Sequence, residues 1–135
     1  MCLEQNKALA QRLYDDFFNR RHLALVAQIV TADYINHAAP PNTDSGRAGL
    51  VEQVTLLCAA FPDNRHVIED LIAEGDKVVA RVTFSGTQTG PFRGVAPTGR
   101  RVSQEQIHVL RIAGGKVAEH WAVRDDLGLM EQLRQ

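Results

Sequence analysis

Cysteine is scarce in this chain. Cys2 and Cys58 are the only two in 135 residues, too few for a disulfide framework or a structural zinc cluster. Charge of one sign is also lacking. Fifteen Lys and Arg against 16 Asp and Glu leave a formal charge of −1, which removes the simplest electrostatic case for nucleic acid or an anionic membrane as partner. No apolar run approaches the roughly 18–20 residues of a spanning helix. The opening stretch MCLEQNKALAQRLYDDFF is broken by polar and acidic residues and lacks the apolar core of a signal peptide, so the expected compartment is the reducing cytoplasm. The five histidines form no His-x-His or His-Glu-x-x-His pattern, and no serine sits in Gly-x-Ser-x-Gly. Gly86, Gly90, Gly94 and Gly99 precede no Lys-Ser/Thr pair. Metal, nucleophilic serine and phosphate-loop chemistry therefore have no motif to stand on. What is present is ordinary globular composition, 44% hydrophobic and 23% charged, at the length of one domain. Residues 1–135 are expected to form it alone.

The first half has helical periodicity. Leu9, Leu13, Tyr14, Phe17 and Phe18 recur at spacings of three to five, and Asn19 to His22 end that stripe. A short second helix carries Leu23, Val26, Ile29 and Val30 on one side and stops at Thr31–Asp33. Tyr34–His37 reads as a short extended piece, and the Pro- and Gly-containing segment 38–46 as a loop. A third helix covers about residues 48–60, with Leu50, Val54, Leu57 and Cys58 as its apolar face. Beyond residue 64 the period becomes two. His66–Ala73 and Lys77–Ser85 form one expected hairpin, with Asp70 opposite Arg81 as a cross-strand ion pair. Arg101–Ile112 and Lys116–Arg124 form a second, and a closing helix begins near Leu127. Helices first and strands second give an α+β domain: a curved antiparallel sheet wrapped around three N-terminal helices, with a central pocket.

The second hairpin yields the sharpest expectation. If Gly114-Gly115 is a two-residue turn, Gln104 faces Asp125, Gln106 faces Val123, His108 faces Trp121, Leu110 faces Glu119 and Ile112 faces Val117. Strict alternation puts all ten on one face. That face is apolar near the turn and polar further out, the layout of a sheet whose far end lines a wet pocket. The opposite face takes Glu105, Ile107, Val109, Arg111, Lys116, His120 and Arg124. An Asp beside a His under an aromatic ring suits general acid–base work, and Gln104 and Gln106 offer amide donors for a developing enolate oxygen. Plainer readings stand beside this one. Asp125 or Asp126 equally suits the N-cap of the last helix, His108 a core histidine, Trp121 a core or pocket-wall ring, and His37 a surface residue or pocket rim.

The blocks Phe61-Pro62-Asp63, Glu74–Arg81, Gly86-Thr-Gln-Thr-Gly-Pro-Phe-Arg-Gly94, Pro97–Arg100 and Arg111–Trp121, with Asp125 and Gln132-Leu133 behind them, resemble the SnoaL-like polyketide or ester cyclases of the nuclear transport factor 2-like superfamily. The resemblance runs from the first helix to the C-terminus. It implies a cone-like α+β barrel with a deep apolar pocket, and cofactor-free intramolecular aldol closure of a polyketide-like ester. It also implies an acid–base aspartate at Asp125, aided by Gln106 and His108. Gln104, Trp121, His37, Phe61 and Val123 complete the candidate pocket lining. No metal or cofactor is expected, and the expected partners are a small apolar or aromatic ligand and a second copy of the chain, joined through Ile107, Val109 and Ala122 on the outer sheet face. The alternatives are non-catalytic binding of a small apolar ligand, or an isomerase or epoxide hydrolase on the same fold.

Overall fold

The computed structural model describes residues 2–135. Helix α1 (Leu3–Arg12) runs into a π-helical segment, Leu13–Asn19. The wider π turn matches the five-residue step from Leu13 to Phe18 and buries Leu13, Tyr14, Phe17 and Phe18 together. A 3₁₀ turn at Leu23–Leu25 and the one-turn α2 (Val26–Ile29) lead to strand β1 (Val30–Asn36). Here the helical reading through Val30 is corrected. Val30, Thr31, Tyr34 and Ile35 are β-branched or aromatic and take an extended backbone beside β5. Helix α3 (Arg47–Ala60), strands β2 (Arg65–Glu74), β3 (Lys77–Thr87), β4 (Arg101–Ala113) and β5 (Lys116–Arg124), and helix α4 (Asp126–Leu133) complete the chain.

The sheet order is β1-β5-β4-β3-β2, antiparallel except for the parallel β1–β5 pair. This is the curved α+β sheet expected, with the N-terminal helices inside its bend. Asp70 does pair with Arg81, at 2.8 Å and largely exposed. A pair so placed contributes only a few tenths of a kcal/mol. One core cluster fills the closed end, with Tyr14, Phe17, Ile29, Val54, Val82, Leu110 and Val117. A second, with Phe61, Phe84, Val102, Leu129 and Leu133, lies under α4. Between them the concave face turns polar.

The turn at Gly114-Gly115 is the expected one, and both glycines have positive φ. Ile112 pairs with Val117 as read from the turn. The next pair is Arg111 with Glu119, so Ala118 has no partner. This β-bulge shifts every later pairing by one: Leu110 faces His120, His108 faces Ala122 and Gln106 faces Arg124. The expected face is therefore right on β4 and inverted on the outer part of β5. His120, Ala122 and Arg124 turn inward, while Trp121 and Val123 turn outward. The physical reason lies at Glu119: unbroken alternation would put its carboxylate beside Leu110 and Val117 in the core, whereas the bulge brings it out to Arg111 at 2.8 Å.

Candidate functional site

Five inward side chains and one helix-terminal carboxylate form a continuous hydrogen-bonded chain. Gln104 Nε2 donates to Asp126 Oδ1 at 3.0 Å, and Gln106 Nε2 donates to Gln104 Oε1 at 2.8 Å. His108 Nε2 meets Gln106 Oε1 at 2.7 Å, and His108 Nδ1 meets His120 Nε2 at 2.8 Å. His120 Nδ1 reaches Asn36 Oδ1 at 2.7 Å. The parallel pairing of Asn36 with His120 supplies that last step. The Asn36 amide cannot turn round, because its Oδ1 also accepts from the backbone N–H of Ala38 at 2.9 Å. Gln104, Gln106, His108, His120 and Asn36 are all buried.

Each of the five contacts needs one proton. Two neutral imidazoles and two amides, each placing its N–H toward one neighbour, supply four. Asn36 supplies none, and neither does an ionised Asp126. One contact is then bare, with two lone pairs facing each other in a buried place. A proton on Asp126, with both glutamine amides reversed, fills all five and leaves both histidines neutral. Burial favours those neutral imidazoles. It pushes His120 down to about 3 and His108 well below the ordinary value, with Arg124 adding to the effect on both and His120 on its neighbour. On the other side, Arg93 Nη1 lies 3.2 Å from Asp126 Oδ1, the same oxygen that accepts from Gln104. Asp126 thus joins the buried chain to a half-exposed cation at the cavity wall.

Asp126 also lines a cavity of about 410 Å³, a size that suits a small organic molecule. Its walls include Gln104, Gln106, His66, Phe84 and Arg124 from the sheet, Leu56 and Leu57 from α3, Phe92 and Arg93 from the loop before β4, and Leu129 from α4. His66 is buried among the rings of Tyr14, Phe18 and Phe84, and burial first, then the charges of Arg124 and Arg21, pushes it down to about 3. Burial pushes the Tyr14 and Tyr34 phenols up, so both remain protonated. Among the described residues no cluster of three or more His, Cys, Asp or Glu is placed to hold a metal ion, and no helix is long and apolar enough to cross a membrane.

Several expected site residues lie elsewhere. Asp125 is exposed and caps α4, accepting from Gly128 N at 2.9 Å. The bulge turns it away from Gln104, and its neighbour Asp126 takes the cavity position. Trp121 lies on the outer face, stacked on His37 at 4.8 Å and 11°. His37 in turn meets Glu119 at 2.8 Å. Val123 is 76% exposed, and Ala122, expected outside, faces His108 within. Phe61 is fully buried against Phe84 and Phe92, behind the cavity wall. Gln106, His108 and Gln104 are where the alternation put them. His120, Asn36, Arg124 and His66 were not singled out by the sequence reading, and Asp126 only as a possible cap. The one usable signal was Glu119, whose inward placement under strict alternation argued for a slip.

The cap gives a clean prediction. Asp125→Ala is expected to cost about 1 kcal/mol of stability, read as a lower urea midpoint at unchanged slope, without altering any activity of the cavity. Activity lost in a variant that remains folded would return Asp125 to the site.

Comparison with known proteins agrees with this fold. A family model described as SnoaL-like polyketide cyclase matches residues 8–133. Aklanonic acid methyl ester cyclase DnrD of Streptomyces peucetius is 35% identical over 111 residues, covering 80% of this chain and 77% of its own. Nogalonic acid methyl ester cyclase of Streptomyces nogalater is 31% identical over 118 residues, covering 86% and 88%. Among solved structures, TsrD from Streptomyces laurentii superposes with a TM-score of 0.90 at 30% identity, over 98% of this chain and 97% of that one.

Proposed function

This chain belongs to the SnoaL-like polyketide cyclase family, and on that footing we propose that it closes a ring of a polyketide-like aromatic ester by an intramolecular aldol-type reaction, with Asp126 as acid and base. The substrate class comes from the relatives, named as cyclases of aklanonic and nogalonic acid methyl esters. The observation that carries the reading is the proton-deficient chain ending at a cavity-lining carboxylate. Asp126 removes a proton from a carbon flanked by carbonyl groups, and the electron pair of that C–H bond becomes an enolate. The enolate carbon attacks an acceptor carbonyl of the same molecule, forming the C–C bond as the C=O π pair moves to oxygen. Asp126 returns its proton to that oxygen. No atom is gained or lost. While Asp126 holds the proton, reversal of the Gln104 and Gln106 amides completes the chain to Asn36, which stabilises the intermediate state. Gln106 and His108 act here as relay groups to Asp126, in place of the direct stabilisation of the enolate expected of them.

The test is to incubate the protein with aklanonic or nogalonic acid methyl ester, with and without a chelator. The expected product is a ring-closed isomer of unchanged mass, formed equally in both. Substrate recovered at the buffer rate, but bound, would favour the binding-only reading. The finer expectation of a homodimer is also part of this proposal. Ile107 pairs with Val123 on the outer face, and both are exposed, as is Ile72 further along the sheet. Light scattering should give twice 14.9 kDa. A monomer at micromolar concentration would overturn this.

A further inference from the structure

Arg124 is a half-buried cation that faces the cavity. Among the described residues no hydrogen bond or ion pair engages its guanidinium, although it lines both the main cavity and the small hollow beneath, beside Tyr14, Tyr34 and His66. Burial pulls it below its ordinary value. The carboxylate near it, Asp126, is already held by Arg93 and Gln104. The phenols of Tyr14 and Tyr34 are neutral, and the facing histidines carry no charge. A guanidinium that opens on a cavity without a protein partner is matched by a planar anionic oxygen group, which it grips with two parallel N–H donors.

We propose that Arg124 is an anion receptor in the cavity wall and that it takes the oxygen of an enolate, or of the chemically related carboxylate or phenolate, on an aromatic ligand. This deepens the cyclase reading by assigning the cation that receives the charge released when Asp126 takes its proton. The charge would otherwise develop in a mostly apolar enclosure, where an opposite fixed charge acts most strongly. Burial first, and the charge of Arg124 after it, keep His66, His108 and His120 neutral, so Arg124 is the cation that faces the cavity from this wall.

The test uses 1,3-indandione, whose enolate and neutral forms absorb differently, beside 2,2-dimethyl-1,3-indandione, which cannot enolise. A second pair, 2-naphthoate and its methyl ester, distinguishes carboxylate from enolate recognition. The wild-type protein should lower the apparent pKa of bound 1,3-indandione by about one unit, a tenfold preference for the enolate, or about 1.4 kcal/mol. The dimethyl compound should bind at least tenfold more weakly than the enolate. Arg124→Gln should abolish the shift and Arg124→Lys should restore part of it. Arg124→Met should melt at a higher temperature than wild type while losing anion selectivity, the signature of a charge kept for binding at the expense of stability. A folded Arg124→Gln with the full shift would overturn the proposal, as would a wild type that binds the neutral compounds as tightly. Neither assay requires turnover. A retained shift without ring closure defeats the cyclase reading alone, and ring closure without a shift defeats the role of Arg124 alone.

Discussion

Asp126→Asn is expected to lower turnover on an aromatic polyketide methyl ester by roughly 10²- to 10⁴-fold, the range carried by one positioned acid–base group. KM should change little, because the asparagine fills the same volume. The paired variant Asp125→Asn is expected to retain activity, since asparagine caps a helix as well as aspartate does. The two positions are adjacent in sequence and alike in chemistry. Only the bulge at Ala118 decides which one faces the cavity. Loss of turnover in the Asp125 variant with none in the Asp126 variant would reverse the assignment. Equal loss in both would place the chemistry elsewhere on the wall.

The second large effect is on acid stability. His66 and His120 are pushed down to about 3 by burial and the nearby arginines, and His108 moves the same way. Unfolded histidines titrate near 6.5. Between pH 6.5 and 3 the unfolded chain therefore binds more protons than the folded one, and stability falls as the pH falls through that window. Above 6.5 the stability is fully present. Each unit of separation amounts to about 1.4 kcal/mol per group, and three groups act together against a total stability of about 5–15 kcal/mol. Cooperative acid unfolding is expected with a midpoint between about pH 4 and 5. His66→Phe should move that midpoint down, because the ring sits among Tyr14, Phe18 and Phe84 and the substitution removes an unpartnered buried Nδ1. A melting temperature that stays level from pH 7 to 4 would contradict the neutral buried histidines.

The architecture was legible because its signals are local. The change of period after residue 64, the diglycine turn and the breaker-rich segments 38–46 and 87–99 fix the elements and their order. The inward row Gln104, Gln106, His108 followed from alternation within one strand, which no turn can alter. The partner row did not follow, because a bulge is one extra residue with little sequence mark of its own. Only the awkward position of Glu119 under strict alternation hinted at it. β1 was hidden for a different reason. Its parallel partner β5 lies some eighty residues away, and the stretch Leu23–Val30 has helical spacing up to its last residue. Asn36 thus joined the site through a contact that no local pattern shows. Gln88 likewise shows its role only in the fold, where it is fully buried and ties Thr98 to Val95 within its loop.

The measurement that tests the central claim most directly is the tautomer of His108, read from the ring ¹⁵N shifts of wild type and Asp126→Asn at neutral pH. An ionised Asp126 draws the Gln104 amide toward itself, and Gln106 follows, so His108 must carry its proton on Nε2 in the wild type. Arg93 and Gln104 share Asp126 Oδ1, so an asparagine that turns its amide to Gln104, giving up the Arg93 contact, supplies the missing proton and reverses both glutamines. His108 and His120 should then both become Nδ1–H tautomers. The same His108 tautomer in both proteins would show that Asp126 and the histidine pair do not share one proton chain.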